Sequence, residues 1–227
     1  AITEMGKAGV STADILSGGL DGALSLAAAG ELDVAQAAEL AATALNQFQL
    51  SGSDVGHVAD VLAAGAGKAQ GTVADLGVAL EQVGPVANSM GSSLEETVGM
   101  LSQFAAQGII GEKAGTAMRG MLASLTPQSV EAAEKMEELG LNVFDANGNF
   151  IGLSASAQVM QNSLAGLTEE QRAFAIQQIF GRETAVAANI AWQGGAAAAD
   201  DWRRKVTDAG YAADQTAILM DNLSGDV

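Results

Sequence analysis

Apolar residues in this chain recur at helical spacing on single faces, most clearly between residues 84 and 125. Leu94, Val98, Leu101, Phe104 and Gly108 follow one another at three- and four-residue steps, and Ala114, Ala117, Met118, Met121, Leu122 and Leu125 continue the pattern. Ser93-Leu94-Glu95-Glu96 has the form of a capping box, with Ser93 accepting from the backbone near Glu96 and Glu96 reaching back. Gly108 and Gly111 bracket the connection, which is so short that it predicts two antiparallel helices.

The same pattern divides the rest of the chain. Ser11 to Asp14 caps a brief helix through Leu16, and a second runs from Leu20 to Ala29. Glu31 to Gln49 is a helix with Val34, Ala37, Ala41, Ala44, Leu45 and Phe48 on one face, its acidic residues Glu31 and Asp33 near the positive end of the helix dipole. Ser51-Gly52-Ser53 ends that helix and caps the next, where Val55, Val58, Ala59, Leu62 and Ala63 face inward until Gly65 and Gly67 stop it. Thr72 with Asp75 caps another through Val83. Thr126-Pro127 supplies a cap and an N1 proline for a helix burying Val130, Ala133, Met136 and Leu139. Helical pattern resumes near Ser154, pauses at Gly166, and restarts at Thr168, capped with Gln171, with Ala173, Ile176 and Phe180 inward. A kink at Gly181, a helix to Trp192, a break at Gly194-Gly195 and a longer helix into the Leu219 region complete the chain.

Only one stretch changes period. Leu141 to Phe144 and Phe150-Ile151 are short extended runs joined through Asp145 to Asn149, and Asn147-Gly148 is a strong turn signal because both residues tolerate positive φ. The expected fold class is therefore mainly α, a multi-helix globular domain of short helices with one small β-hairpin. Four or five consecutive units look like stacked helical hairpins, but their spacing is too irregular for a true repeat.

Composition changes this picture in two respects. With 28 glycines, 2 prolines and only 4% aromatics, the 48% hydrophobic fraction is dominated by small side chains, which favours close helix packing and short helices. Ten basic residues against 27 acidic ones give a formal net charge of −17, which disfavours stable binding to nucleic-acid phosphates. There is no cysteine, hence no disulfide frame and no thiolate chemistry. No signal peptide is recognisable, and the longest uncharged run, Ala146 to Thr168, contains too many Asn, Gln and Ser residues for a membrane span. The chain opens at Ala1-Ile2-Thr3-Glu4 without a Met, and a piece of a longer protein is expected.

Candidate chemistry yields no site. His57 is the single histidine, which excludes multi-histidine metal centres, and no Gly-x-Ser-x-Gly elbow accompanies it; a helix-surface or interface role is expected. Gly65-Ala66-Gly67-Lys68 departs from a phosphate loop at Leu62 and Ala69, and Gln70 spoils the dinucleotide fingerprint. Asp145-Ala146-Asn147-Gly148-Asn149 resembles a calcium loop, but its glycine comes early and Ser156 stands at the twelfth position. Glu95-Glu96, Glu137-Glu138, Glu169-Glu170 and Asp200-Asp201 are neighbours that diverge on a helix, suited to caps and solvated faces. Arg203-Arg204-Lys205 reads as a solvated face. Gly18-x-x-x-Gly22, Gly67-x-x-x-Gly71 and Gly111-x-x-x-Gly115 read as soluble packing or turns. No catalytic, cofactor-binding or metal-ligating residue and no cofactor are nominated.

One family resemblance emerges from motifs taken in order. Gly84-Pro85-Val86-Ala87, Ser93 to Thr97, Gly108-Ile109, Ala114 to Ala117 and Arg119 resemble the core domain of bacteriophage tail tape measure proteins. Asp54 to Leu80, Glu138 to Leu141 with the following turn, and Ile179 to Arg182 with Thr184-Ala185 are similar to the same core, so the resemblance covers most of residues 30 to 190 and loosens from Gly194 onward. It implies a helical lead-in over 1–30, a core domain over 31–193, and over 194–227 a C-terminal helix leading into a longer helical region. It further implies a structural, non-enzymatic virion protein, made in the bacterial cytoplasm and placed in the tail lumen or tip. Such a protein governs tail length and assembly and leaves ahead of DNA during ejection. Implied partners are tail tube, distal tail or baseplate hub proteins, tail assembly chaperones and further copies of the chain as a trimer, with the host membrane met during ejection and no stable nucleic-acid binding. The alternative implied reading is a membrane-active or cell-wall-degrading module that assists DNA entry.

Overall fold

Helix boundaries in this protein, a computed structural model describing residues 1–225 with side-chain surroundings through residue 221, follow capping residues closely. After α1 (Ile2–Lys7), Ser11 accepts from the Asp14 N–H to start α2 (Thr12–Asp14), which passes through a wide turn at Ile15–Gly19 into α3 (Leu20–Ala29). Asp33 and Gln36 form a capping box for α4 (Val34–Gln47), and a single 3₁₀ turn at Gly52–Asp54 leads into α5 (Val55–Gly67). Thr72 and Asp75 form another box at the start of α6 (Val73–Ser89), followed by α7 (Leu94–Ala106) and α8 (Gly111–Ser124). Then come α9 (Val130–Glu138), α10 (Leu153–Leu164), α11 (Glu169–Val206), with Thr168 and Gln171 boxed at its start, and α12 (Tyr211–Gly225).

One continuous apolar core runs from Met5 to Ala212, and many of its fully buried positions are alanines, such as Ala37, Ala41, Ala64, Ala87, Ala187 and Ala188. Small side chains let helix axes come close, so dispersion contacts extend to the backbone itself. At Gly115 of α8 an added Cβ would lie 2.8 Å from the Cα of Ala79 on α6, and at Gly22 of α3 it would lie 2.9 Å from the Cα of Gly56 on α5. The three Gly-x-x-x-Gly pairs resolve into two roles each. Gly18, Gly71 and Gly111 have positive φ and turn the chain, whereas Gly22 and Gly115 are helix crossings and Gly67 abuts Tyr211.

Several expectations are corrected. The β-hairpin is absent: Phe144 and Phe150 form one isolated antiparallel bridge and no strand. Asp145 closes the loop through both its backbone, with its N–H donating to the Asn149 carbonyl, and its side chain, with Oδ1 accepting from the N–H groups of Asn147 and Asn149; beyond it one further backbone bond joins Ile151 to Val143 before Gly152, with φ 88°, turns the chain into α10. α7 and α8 do not pair with each other as a hairpin; α8 packs chiefly on α6 and α11, and α7 on α11. Ser93 does cap α7, but Glu96 does not reach back, leaving half a capping box. α6 does not end at Val83; it runs through Gly84 and Pro85 to Ser89. Gly65 does not stop α5 but lies where Val98 of α7 crosses it.

α9 starts three residues past Pro127, because the Gln128 side chain donates to the Ala123 and Thr126 carbonyls and Ser129 becomes the cap. Its buried residues are accordingly Ala132 and Met136, with Val130 exposed and Ala133 only half-buried. Ala173 faces solvent, and α11 instead buries Ala175, Ile176, Ile179 and Phe180. The last helix is not continuous into Leu219, since the chain breaks at Thr207–Gly210 before α12.

Candidate interaction surface

Several of the chemical candidates in the sequence make structural contacts. His57 Nε2 on α5 is 2.5 Å from Glu95 Oε1 in the first turn of α7. Burial pushes the Glu95 carboxyl pKa up, but hydrogen bonds from Ser93 and His57 outweigh it and hold the value below the ordinary range. Lys68 caps the end of α5, where its ammonium donates to the Lys205 carbonyl (2.9 Å) and Asp208 Oδ2 (2.7 Å) and lies 4.8 Å from the centre of the Tyr211 ring. It therefore anchors the α11–α12 junction.

Asp145 spends its oxygens on its own loop, and the Asn149 backbone N–H, the largest influence, lowers its pKa. Arg203, Arg204 and Lys205 pair with Asp200 and Asp201 along one helix, so the adjacent acids offset most of the basic run. Among the described residues no group of three or more His, Asp or Glu could hold a metal ion. No described helix is long and apolar enough to cross a membrane.

What remains open to partners is surface. A groove of about 530 Å³ lies between α8 and α11, lined by Ile109, Lys113, Ala117 and Val186 and rimmed by Glu112 and Glu183. A second, of about 190 Å³, lies between α4 and α6, with Leu40 and Val78 at its floor and Glu39 and Glu81 at its rim. Both combine an apolar floor with acidic edges, a composition suited to contact with protein.

Three side chains that tie distant helices together were not marked by any sequence motif. Asp60 on α5 accepts from the N–H groups of Gly210 (2.7 Å) and Ala212 (3.0 Å), fixing the start of α12. Gln103 on α7 and Gln161 on α10 donate to carbonyls of α11 at Ile190 (3.2 Å) and Trp192 (3.3 Å). The available signal was weak: Gln103 is a polar residue one position before the inward Phe104 of its own helix, and it is buried.

Comparison with known proteins agrees with a tail origin. The model of the phage-related minor tail protein family matches residues 1–181, ending at the first interruption of α11. The chain is 34% identical over 209 residues to the tape measure protein of Pneumococcus phage Dp-1, covering 92% of this chain and 18% of that protein. It is 31% identical over 210 residues to the probable tape measure protein of Escherichia phage P2, covering 89% of this chain and 25% of that protein. The chain thus spans about a quarter or less of the length of these relatives. No solved structure matches it.

Proposed function

This chain belongs to the phage-related minor tail protein family, and on that premise we propose that it is the core module of a tape measure protein, acting at the tail tip. As a member of that family it is a structural protein of the phage tail and not an enzyme. The finer assignment rests on one observation: its longest helix, Glu169–Val206, departs from helical backbone at Gly181 and at Gly195. A length-measuring rod needs an uninterrupted helix rising about 1.5 Å per residue, and this module supplies none. It is suited to anchoring, with residues 31–193 as the core, flanking segments on either side, and acid-rimmed grooves for tail tube, distal tail or hub proteins, assembly chaperones or further copies in a trimer. The whole protein would set tail length and leave ahead of the DNA, and the net charge of −17 would keep this part from adhering to the emerging duplex.

In-frame deletion of residues 31–190 from the full-length gene, with imaging of the particles, tests this reading. Tails of normal length that fail to infect, or tubes that never initiate, are expected. Tails shorter by about 240 Å, the helical length of the deleted residues, would make the region part of the ruler and overturn the anchor.

A further inference from the structure

The hollow between α4 and α6 shares Leu32 and Ala74 with a second hollow of about 390 Å³, which is lined also by Gly67 and Gly71, so the two form one furrow running past the start of α6. Its shape comes from Gly77, where an added Cβ would lie 2.9 Å from Leu40 Cδ1. The leucine settles against bare backbone, while Ala74 and Val78 stay exposed beside it. Along α6 the floor extends from Ala74 to Glu81, about 10 Å or two turns of a partner helix. Both walls are helices with no strand edge, so an occupant must bring a backbone that is already paired.

The charges around this furrow have one sign. Residues 31–90 contain seven Asp and Glu residues against one Lys and no Arg, and that Lys68 is spent on Asp208 and the Lys205 carbonyl. Four of the seven acids are engaged as well: Asp33, Asp54 and Asp75 accept from N–H groups at helix starts, and Asp60 holds the start of α12. The remaining three, Glu31, Glu39 and Glu81, are exposed and without a partner among the described residues, and all three line the furrow. Arg119 of α8 reaches α6, but its guanidinium donates to Gln82. The α8–α11 groove differs, because Lys113 lies in it together with Glu112 and Glu183.

We propose that the furrow between α4 and α6 receives a basic amphipathic helix of another protein, its apolar stripe on Leu40 and Val78 and its Lys or Arg residues against Glu31, Glu39 and Glu81. A second copy of this chain is a poor match, since its net charge is −17 and its one basic run, Arg203 to Lys205, is largely offset by Asp200 and Asp201. The proposal rests on reading the grooves as docking faces and is independent of where in the tail the module sits.

The probe is a dye-labelled synthetic peptide of about 18 residues, with leucines on one helical face and lysines on the other. It is titrated with the intact chain at about 0.15 M salt and read by fluorescence anisotropy. Glu39→Gln combined with Glu81→Gln is expected to weaken binding about fivefold. Val78→Lys, which removes apolar contact and adds a like charge, should weaken it about tenfold. All three positions are exposed, and circular dichroism checks that the variants keep the fold. The matched pair Glu112→Gln and Glu183→Gln removes the same charge from the other groove and should change binding less than about twofold. Absence of binding to the unaltered chain overturns the proposal, and so does equal weakening by the two pairs, which would reduce the effect to bulk charge. Self-association of the chain alone that Val78→Lys abolishes would make a second copy the occupant and overturn it too. None of these readings depends on tail length or infectivity, so the deletion experiment can fail while this one succeeds, and the reverse.

Discussion

α8 and α11 pack against each other, and both depend on glycine, yet they use it in opposite ways. In α8, Gly115 stays helical and brings the backbone of α6 so near that no Cβ fits between them. In α11, Gly181 and Gly195 leave the helix, and side chains from other elements satisfy the carbonyls around the second bend. The first arrangement is held by shape and tolerates no added volume. The second is held by hydrogen bonds and tolerates no lost donor. Glycine spacing alone does not separate the two uses, because what decides is whether a neighbour offers bare backbone or a polar side chain.

The largest effect should come from attacking the shape-held contact. Gly115→Leu is expected to destabilise the chain by about 3 kcal/mol and lower Tm by roughly 10 °C, read by calorimetry. Gly166→Leu is the control, since nothing lies within 4 Å of a Cβ there, and should stay within about 0.5 kcal/mol. Equal losses in both variants would remove the distinction between a crossing glycine and a turn glycine.

A smaller, local effect should follow from removing a hydrogen-bond tie. Asp60→Ala leaves the Gly210 and Ala212 N–H groups without their acceptor and is expected to cost about 2 kcal/mol. Amide exchange should accelerate from residue 210 into α12 and stay unchanged in α8. Uniform acceleration would mean that the C-terminal segment and the α6–α8 pair unfold as one unit.

The mildest probe is pH, through the tie between α5 and α7. The Glu95 pKa is lower in the folded state than its ordinary value of 4.5, so the folded state favours the ionised form. Its contribution is complete above the unfolded value and disappears as pH falls through the folded one. Tm should therefore decline as pH drops below about 4.5, and Glu95→Gln should flatten part of that decline. An identical acid profile in Glu95→Gln would show that the His57–Glu95 contact carries no stability.

Much of the fold was legible because caps and stripes act within one turn of helix. The boxes at Thr72 and Thr168 and the stripes over residues 37–48 and 114–125 appear where spacing put them, whereas the helix expected from Glu31 starts only at Val34, with Asp33 as its cap. Misreadings arose where two local signals competed. Pro127 suggested a helix start, but Gln128 closed the turn and passed the cap to Ser129. Asn147-Gly148 suggested a hairpin, and a turn does form there, but the flanking runs are too short to pair beyond one bridge. The grooves flanking α6 and α8 were not legible at all, because each is lined by helices distant in sequence.

The sequence by itself determined the helical class, most helix starts, the acidic surface and the family, since each depends on residue type and near-neighbour spacing. Tertiary structure alone decided which helices pair, which glycines sit at helix crossings, and which distant groups Asp60, Gln103 and Gln161 meet in their hydrogen bonds. The physical reason is range. A cap or stripe is settled within a few residues, whereas the partner of a buried carbonyl or a bare glycine comes from a helix 30 to 150 residues away, such as Gln161 for Trp192 or Asp60 for Gly210.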